Sequence, residues 1–192
     1  RQATRDAGRL AGLEVLRLVN EPTAASLAYG LHEQKRGHVA VYDLGGGTFD
    51  ISILKLISTE QGDIYQVLAT NGDTHLGGDD LDLRLQAVAR QEIRTRHGLN
   101  LATHPMVVQE LRKALIAAKH ELSEATRATI MVPLPDGSEY VREITRAEFE
   151  GMVQPILERT MGPVRMALAD SKLQPEEIEE VVLVGGSTRV PL

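Results

Sequence analysis

Three consecutive glycines, Gly45 to Gly47, lie between two segments that have the composition of strands, residues 38–43 and 48–57. Glycine loses more conformational freedom on folding than any other residue, so three in a row indicate a requirement beyond closing a hairpin. One such requirement is the close approach of backbone N–H groups to an anionic ligand. Asp43 and Asp50 flank the glycines and could hold a metal ion or a water molecule beside a bound phosphate.

A plain hairpin is the second interpretation, because glycine runs also close hairpins in proteins that bind no ligand. The pattern lacks the Gly-Lys-Ser/Thr end of a Walker phosphate loop. It also leads into a strand, whereas a dinucleotide fingerprint leads into a helix. The residues alone leave both interpretations open.

Composition excludes several classes of protein and site. The 192 residues suffice for one large domain or two small lobes, and the net charge of -6 argues against a nucleic-acid-binding surface. The absence of cysteine excludes disulfides and thiolate metal sites, and the six histidines show no zinc-ligand spacing. No apolar run reaches the length of a membrane span, so we expect no membrane contact. The lack of cysteine is compatible with a reducing compartment, and we expect a cytoplasmic protein. Both ends of the chain look cut, and we expect a fragment of a longer protein.

Periodicity and turn residues predict an α/β protein with two lobes. Asn20 or Glu21 should cap a helix whose first turn contains Pro22, and Thr145 to Glu148 have the spacing of a capping box. Pro155 and Pro163 should kink or divide the helix that follows. The predicted helices are 1–12, 20–30, 79–97, 105–123 and one starting at 145; the predicted strands are 13–19, 38–43, 48–57, 64–69, 129–134, 139–144 and 181–184.

Several segments between these elements also carry predictions. Residues 32–37 should connect the lobes, residues 71–73 should form a turn, and residues 98–104 should join two long helices. The apolar run 181–184 is typical of a strand buried on both faces.

Polar and glycine residues near the ends of these elements are the candidate ligand contacts. The helix 105–123 carries a core stripe of Leu111, Leu115, Ala118 and Leu122, and beside it lies a face with Ile116, Lys119, His120 and Ser123. This second face could be solvated or could contact a ligand. Gly77 and Gly78 could form a hinge or an approach to a nucleotide, while His75, Asp79 and Asp80 fit a loop and a helix cap.

Further candidate residues lie towards the two ends of the chain. Gly185 and Gly186 follow a strand and would place backbone amides at a sheet edge, and Arg189 could stack on a base or pair with a phosphate. Glu21 could act in catalysis, or it could simply be a favourable charge at a helix N-terminus.

Four motifs together resemble one family: NEPTAASLAYG at 20–30, VYDLGGGTFDISIL at 41–54, LATNGDTHLGGDD at 68–80 and VVLVGGSTRVP at 181–191. They are similar to the nucleotide-binding domain of the seventy-kilodalton heat-shock chaperones of the DnaK type. The resemblance implies the actin-like ATPase fold, with its ribonuclease H-like motif. It also implies that residues 1–33 end a first lobe, that 34–76 and 154–192 form the base of a second lobe, and that 77–153 form its upper part.

The resemblance further implies that the chain binds ATP or ADP with Mg²⁺. Asp43, Glu21, Thr48 and Asp50 would be the catalytic residues, and Asp43, Asp50 and Glu21 would hold the magnesium ion through water. Asp43 would also orient the attacking water. The implied nucleotide contacts are Gly45, Gly46, Gly47, Thr48, Gly78, Lys119, His120, Ser123, Gly185, Gly186, Ser187 and Arg189. For Lys119, this replaces the solvated interpretation.

The chain also departs from the family pattern. Family members usually carry a glutamate three residues before the lysine of the adenosine helix, where this chain has Ile116, so we expect weaker nucleotide binding. The run Ile116 to Lys119, with Ile53-Leu54 and the GGDD of 77–80, resembles the HscA branch that serves iron–sulfur cluster assembly. The family's first phosphate loop, its catalytic lysine and its peptide-binding domain have no counterpart here, so we expect little ATP turnover from this fragment alone.

As a function, the resemblance implies an ATP-driven chaperone whose nucleotide state controls its binding of client proteins, in protein folding and the stress response. Its partners would be unfolded client peptides, a J-domain co-chaperone and a nucleotide exchange factor. The alternatives are a filament-forming protein of the same fold, a sugar kinase, and a module that binds nucleotide without hydrolysing it.

Overall fold

A mixed four-stranded sheet forms one part of the α/β fold. The computed structural model describes residues 1–29, 36–60 and 62–192. The sheet contains β1 (Arg36–Leu44), β2 (Phe49–Thr59), β3 (Gly62–Asp73) and β6 (Glu180–Val184) in the order β3-β2-β1-β6. Strand β2 runs antiparallel to both β1 and β3, and β6 runs parallel to β1. The carboxyl ends of β1 and β6 therefore lie side by side at the same end of the sheet.

The helices and a separate hairpin complete the described part of the chain. The hairpin pairs β4 (Arg127–Pro133) with β5 (Glu139–Thr145). The helices are α1 (Gln2–Leu10), α2 (Glu21–Ala28), α3 (Gly78–His97), α4 (Pro105–Glu124), α5 (Arg146–Leu157) and α6 (Met161–Ser171). Short 3₁₀ turns lie at Leu101–Thr103, Glu158–Thr160, Pro175–Glu177 and Gly186–Arg189.

Apolar side chains cover both faces of the sheet. On one face Ala40, Ile51 and Ile53 pack in a cluster with Ala167 of α6. On the other face the cluster consists of Val39, Val41, Leu54, Leu56 and Val182, with Ala25 of α2 against it. Because β1 and β2 are buried on both sides, the bend that joins them is held at both of its ends by a packed core.

A second and larger core lies between α3, α4, α5 and the β4–β5 hairpin. The predicted stripe of Leu111, Leu115, Ala118 and Leu122 is buried in it, as predicted. The hairpin is linked to α3 by polar contacts too, because the Tyr140 hydroxyl donates to Glu92 Oε2 at 2.8 Å. This core fixes α4 relative to α3.

Local signals in the sequence located most elements within a few residues. Asn20 is the N-cap of α2, with Pro22 in the first turn, and the Glu148 amide donates to Thr145 Oγ1 at 3.2 Å. The predicted division by proline is confirmed, since α5 contains Pro155 and gives way to a 3₁₀ turn before α6. The Gly77 amide donates to Asp80 Oδ2 at 2.9 Å, as the capping role predicted for Asp80 requires. Most of the predicted connection at 32–37 lies outside the described residues.

Three sequence predictions are wrong. Residues 13–19 form no strand, because no strand within the described ranges lies beside them to share hydrogen bonds. Residues 71–73 are the end of β3 and not a turn, because they pair with residues 49–51 of β2. Strand β6 is not buried on both faces: Val182 is buried, but Val181 and Leu183 are 55% and 50% exposed, since they join neither apolar cluster of the sheet.

The second core should account for much of the stability, and Leu111 tests this. Leu111→Ala removes a fully buried side chain and should lower the free energy of unfolding by about 2–5 kcal/mol. The matched control is Leu83→Ala on α3, where the side chain is 61% exposed and the change should be about 0.5 kcal/mol or less. Urea denaturation of both variants measures the difference, and equal losses would contradict this description of the core.

Candidate functional site

The glycine bend between β1 and β2 presents exposed backbone amides. Gly45 N donates to Thr48 O at 3.0 Å and closes the bend. The amides of Gly46, Gly47 and Thr48 find no acceptor within the part of the chain that the structure describes, and all three residues are exposed. Consecutive free amides at a tight bend form an arrangement that binds anions.

The start of α3 holds the carbonyl groups of this bend. Gly78 N donates to Gly45 O at 2.9 Å, and Asp79 N donates to Gly46 O at 2.7 Å. The Ser187 hydroxyl donates to the same Gly45 oxygen at 3.0 Å. With the Gly45 and Gly46 carbonyls occupied in this way, the amides of Gly46 and Gly47 are turned away from α3, and they are left for a ligand together with the amide of Thr48.

Glycines around the bend serve two different purposes. A Cβ on Gly77 would lie 2.5 Å from Gly46 O, and one on Gly78 would lie 2.6 Å from Ser187 Oγ, so these residues permit close packing. Gly185 has φ +90° and faces the Leu44 carbonyl, which likewise excludes a side chain. A Cβ on Gly46, in contrast, would meet no atom within 4 Å, and the φ of Gly46 does not lie in the left-handed region. Packing and backbone conformation therefore give no reason for glycine at position 46.

A cavity of about 400 Å³, here called the lysine cavity, opens beside the bend. It brings together most of the nucleotide contacts that the sequence predicted, from the bend, α3, α4 and the turn after β6. It is lined by Gly46, Gly78, Leu81, Lys119, His120, Ser123, Glu124, Gly186, Ser187, Arg189 and Val190. Ile116 does not line it.

A second cavity, here called the acid cavity, contains all three predicted acids. Glu21, Asp43 and Asp50 line it together with Asn20, Pro22, Ala25, Val41, Ser52, Val67 and Thr70. Burial, and then the charges of Glu21 and Asp50, raise the pKa of the Asp43 carboxyl above its usual value. Such mutual repulsion favours a cation in the cavity, because a positive charge would relieve it.

The residues of the acid cavity fit a magnesium ion that keeps part of its hydration shell. Its preferred ligands are oxygens, and it usually keeps several of its own water molecules in a protein site. Among the residues that the structure describes, no group of three or more His, Cys, Asp or Glu side chains lies close enough to hold an ion directly. The acids of this cavity would therefore contact the hydration shell of the ion.

The sequence did not indicate Asp82, which contacts one of the predicted residues. Asp82 Oδ1 lies 2.5 Å from Lys119 Nζ, and the two side chains are only 15% and 14% exposed. Asn20, Ser52 and Thr70 of the acid cavity were missed as well, and Ser52 and Thr70 share a hydrogen bond of 3.1 Å. Each of these contacts joins elements distant in the sequence, and no local pattern reports them.

No helix among the described residues is long and apolar enough to span a membrane.

A comparison with known protein families gives a match for this chain. A family model described as "Hsp70 protein" matches residues 1–192, so the match extends over the whole chain and beyond the four motifs that carried the resemblance. Domains of this family bind nucleotide, typically with Mg²⁺, and family membership implies ATPase activity in the parent protein. The chain thus belongs to the Hsp70 protein family.

Proposed function

We propose that this chain is the ATP-binding and ATP-hydrolysing part of a molecular chaperone, and that the nucleotide lies across the lysine cavity, the glycine bend and the acid cavity. The observation that carries the proposal is the row of exposed, unpaired amides at Gly46, Gly47 and Thr48. These amides suit the β- and γ-phosphates, because backbone N–H groups bind phosphate oxygens without needing a charged side chain.

The acid cavity would then hold the metal end of the substrate. Asp43, Glu21 and Asp50 would accept hydrogen bonds from water bound to magnesium, and Asp43 would orient the attacking water. When bound, Mg²⁺ supplies the positive charge that neutralises the phosphate oxygens during transfer. Thr48, at the exposed end of the bend, would lie near the γ-phosphate. These are positioning and electrostatic roles, which is what phosphoryl transfer mainly requires.

The lysine cavity would hold the adenosine. Lys119, His120 and Ser123 enter it from α4, and Gly186, Ser187 and Arg189 enter it from the turn after β6. The planar guanidinium of Arg189 can stack on a base. Gly78 and Gly185 keep the surrounding backbone close enough for these groups to converge.

The proposal includes an actin-like arrangement of subdomains. Residues 34–76 and 154–192 would form the base of a second lobe, 77–153 its upper part, and 1–33 the end of the first lobe. The separation of the two cores supports this division, because the buried members of the larger core all fall between Leu81 and Val153. Movement of one core relative to the other would change the cavity between them.

Such movement would couple the nucleotide state of the chain to the binding of client proteins. Unfolded client peptides, a J-domain co-chaperone and a nucleotide exchange factor would be the partners. A place in the HscA branch, and so in iron–sulfur cluster assembly, is supported by the run Ile116 to Lys119 and by the other motifs of that resemblance. The family match gives no preference to a filament-forming protein or to a module that only binds nucleotide.

Gly46 provides the direct test of the phosphate site. Gly46→Val in the full-length protein should lower the affinity for ADP at least about tenfold, because the side chain would cover amides that bind charged phosphate oxygens. Isothermal titration measures the affinity. The free energy of unfolding should change little, since a Cβ at this position meets no neighbour.

Gly151→Val is the control for this experiment, because Gly151 is exposed, meets no neighbour and lies on α5. It should bind ADP as the wild type does. ADP binding that is unchanged in Gly46→Val would rule out the bend as the phosphate site.

The repulsion around Asp43 predicts a pH dependence with a definite sign. Because the pKa of Asp43 is raised on folding, its charged form costs stability at neutral pH, and protonation removes that cost as the pH falls through the raised value. Asp43→Asn should therefore increase the free energy of unfolding at neutral pH, and the increase should shrink towards about pH 4. ATP turnover should fall at the same time.

Asp136→Asn is the control of opposite sign. Hydrogen bonds from the Ser138 hydroxyl and the Ser138 amide lower the pKa of Asp136, so its charged form stabilises the protein at neutral pH. This variant should lose stability at neutral pH, and the loss should shrink as the pH falls through the lowered pKa. Urea denaturation across the pH range measures both, and a loss of stability in Asp43→Asn at neutral pH would show that the carboxylate is not under repulsion.

A further inference from the structure

We infer that Asp82 is a positioning residue for nucleotide binding: its carboxylate holds the Lys119 ammonium at the wall of the lysine cavity, so that Lys119 meets the nucleoside already oriented. This inference rests on the proposed function, because it takes the lysine cavity to be the nucleoside site. It adds a residue of α3 that does not line that cavity.

The Lys119–Asp82 pair differs from an ordinary surface ion pair. Its nitrogen and oxygen lie 2.5 Å apart as an ion pair that lacks the alignment of a hydrogen bond, and the side chains are 14% and 15% exposed. The Lys113–Glu110 pair, earlier on the same helix, is 72% and 48% exposed. Exposed pairs are screened by water and salt, whereas a pair with this little exposure is screened much less.

Stability alone is a poor reason for such a pair. Removing two charges from water costs free energy that their attraction only partly restores, and apolar residues of similar volume often stabilise as well or better. Leu81 and Leu115, on the same two helices, show that apolar side chains pack at this helix contact. A charged pair at this point is therefore better explained by what the ammonium does in the cavity.

The part of the chain that the structure describes offers no second acid to hold Lys119. Among the described residues, Asp82 is the acid within 4 Å of Lys119 Nζ. The residue about one turn before Lys119 on its own helix is Ile116, which has no polar group. The partner that fixes the ammonium is therefore supplied by α3, across the contact between the two helices.

Helix α3 thereby connects the two ends of the nucleotide site. The amides of Gly78 and Asp79 hold the carbonyls of the glycine bend, and Asp82 lies about one turn further along the same helix. A rigid helix fixes the distance between its first turn and its second. The bend and the Lys119 ammonium are thus held in a set relation before any ligand arrives, which lowers the entropy cost of binding.

A double-mutant cycle in the full-length protein tests the inference. Asp82→Asn should weaken ADP binding about tenfold, within the usual coupling range for contacting residues. In a protein that already carries Lys119→Met, adding Asp82→Asn should have no further effect. Asp82→Glu, which keeps the charge, should recover part of the lost affinity. Isothermal titration with ADP measures all four proteins against the wild type.

The matched control is Glu110→Gln, which removes the acid of the exposed pair on α4 and should leave ADP affinity unchanged. The double variant Asp82→Leu/Lys119→Met leaves no unpaired charge at the helix contact and should fold even if Asp82→Asn does not. Its ADP affinity should equal that of Lys119→Met alone.

The possible results separate this inference from the proposed function. If Asp82→Asn lowers affinity equally with and without Lys119, or leaves it unchanged while Gly46→Val abolishes binding, Asp82 does not act through Lys119 and only this inference fails. If the wild-type protein does not bind ADP, the proposed function and the inference fail together.

Discussion

Two backbone hydrogen bonds, from Gly78 N to Gly45 O and from Asp79 N to Gly46 O, join the two cores of this chain at the glycine bend. The donors are amides of the first turn of α3, which have no acceptor within their own helix. The acceptors are carbonyls of the bend, which would otherwise hydrogen-bond to water. These two hydrogen bonds thus satisfy amides at the start of a helix, and they also set the direction in which the bend presents its own amides.

The two cores supply the rigidity that makes this contact useful. The sheet is packed on both faces around β1 and β2, so the bend emerges from a fixed base. The larger core holds α3 against α4, and this places Lys119 beside the bend. The lysine cavity is a consequence of these two packings, since neither core alone contributes all of the residues that line it. The acid cavity depends on the sheet and α2 only.

Local sequence signals predicted the features of the fold that depend on residues close together in the chain. The cap at Thr145, the division near Pro155 and the apolar stripe on α4 depend on neighbours within a turn or two, and the structure agrees with all three. The strand predicted at 13–19 and the double burial predicted for β6 depend on which elements lie alongside, which composition does not report. The contact between Lys119 and Asp82 was missed for the same reason, because it joins two helices. Convergence of the predicted site residues could be expected only from the resemblance to a family.

Some residues of this site are not the residues that would make the fold most stable. Gly77, Gly78 and Gly185 are glycines because neighbouring atoms leave no room for a side chain. Gly46 has room, and glycine there costs chain entropy without any return in packing. Burial, and after it the like charges nearby, raise the pKa of Asp43, a cost that a neutral side chain would avoid. The close carboxylates are unfavourable for an empty protein, and in the proposed complex that cost would fall when a cation occupies the acid cavity.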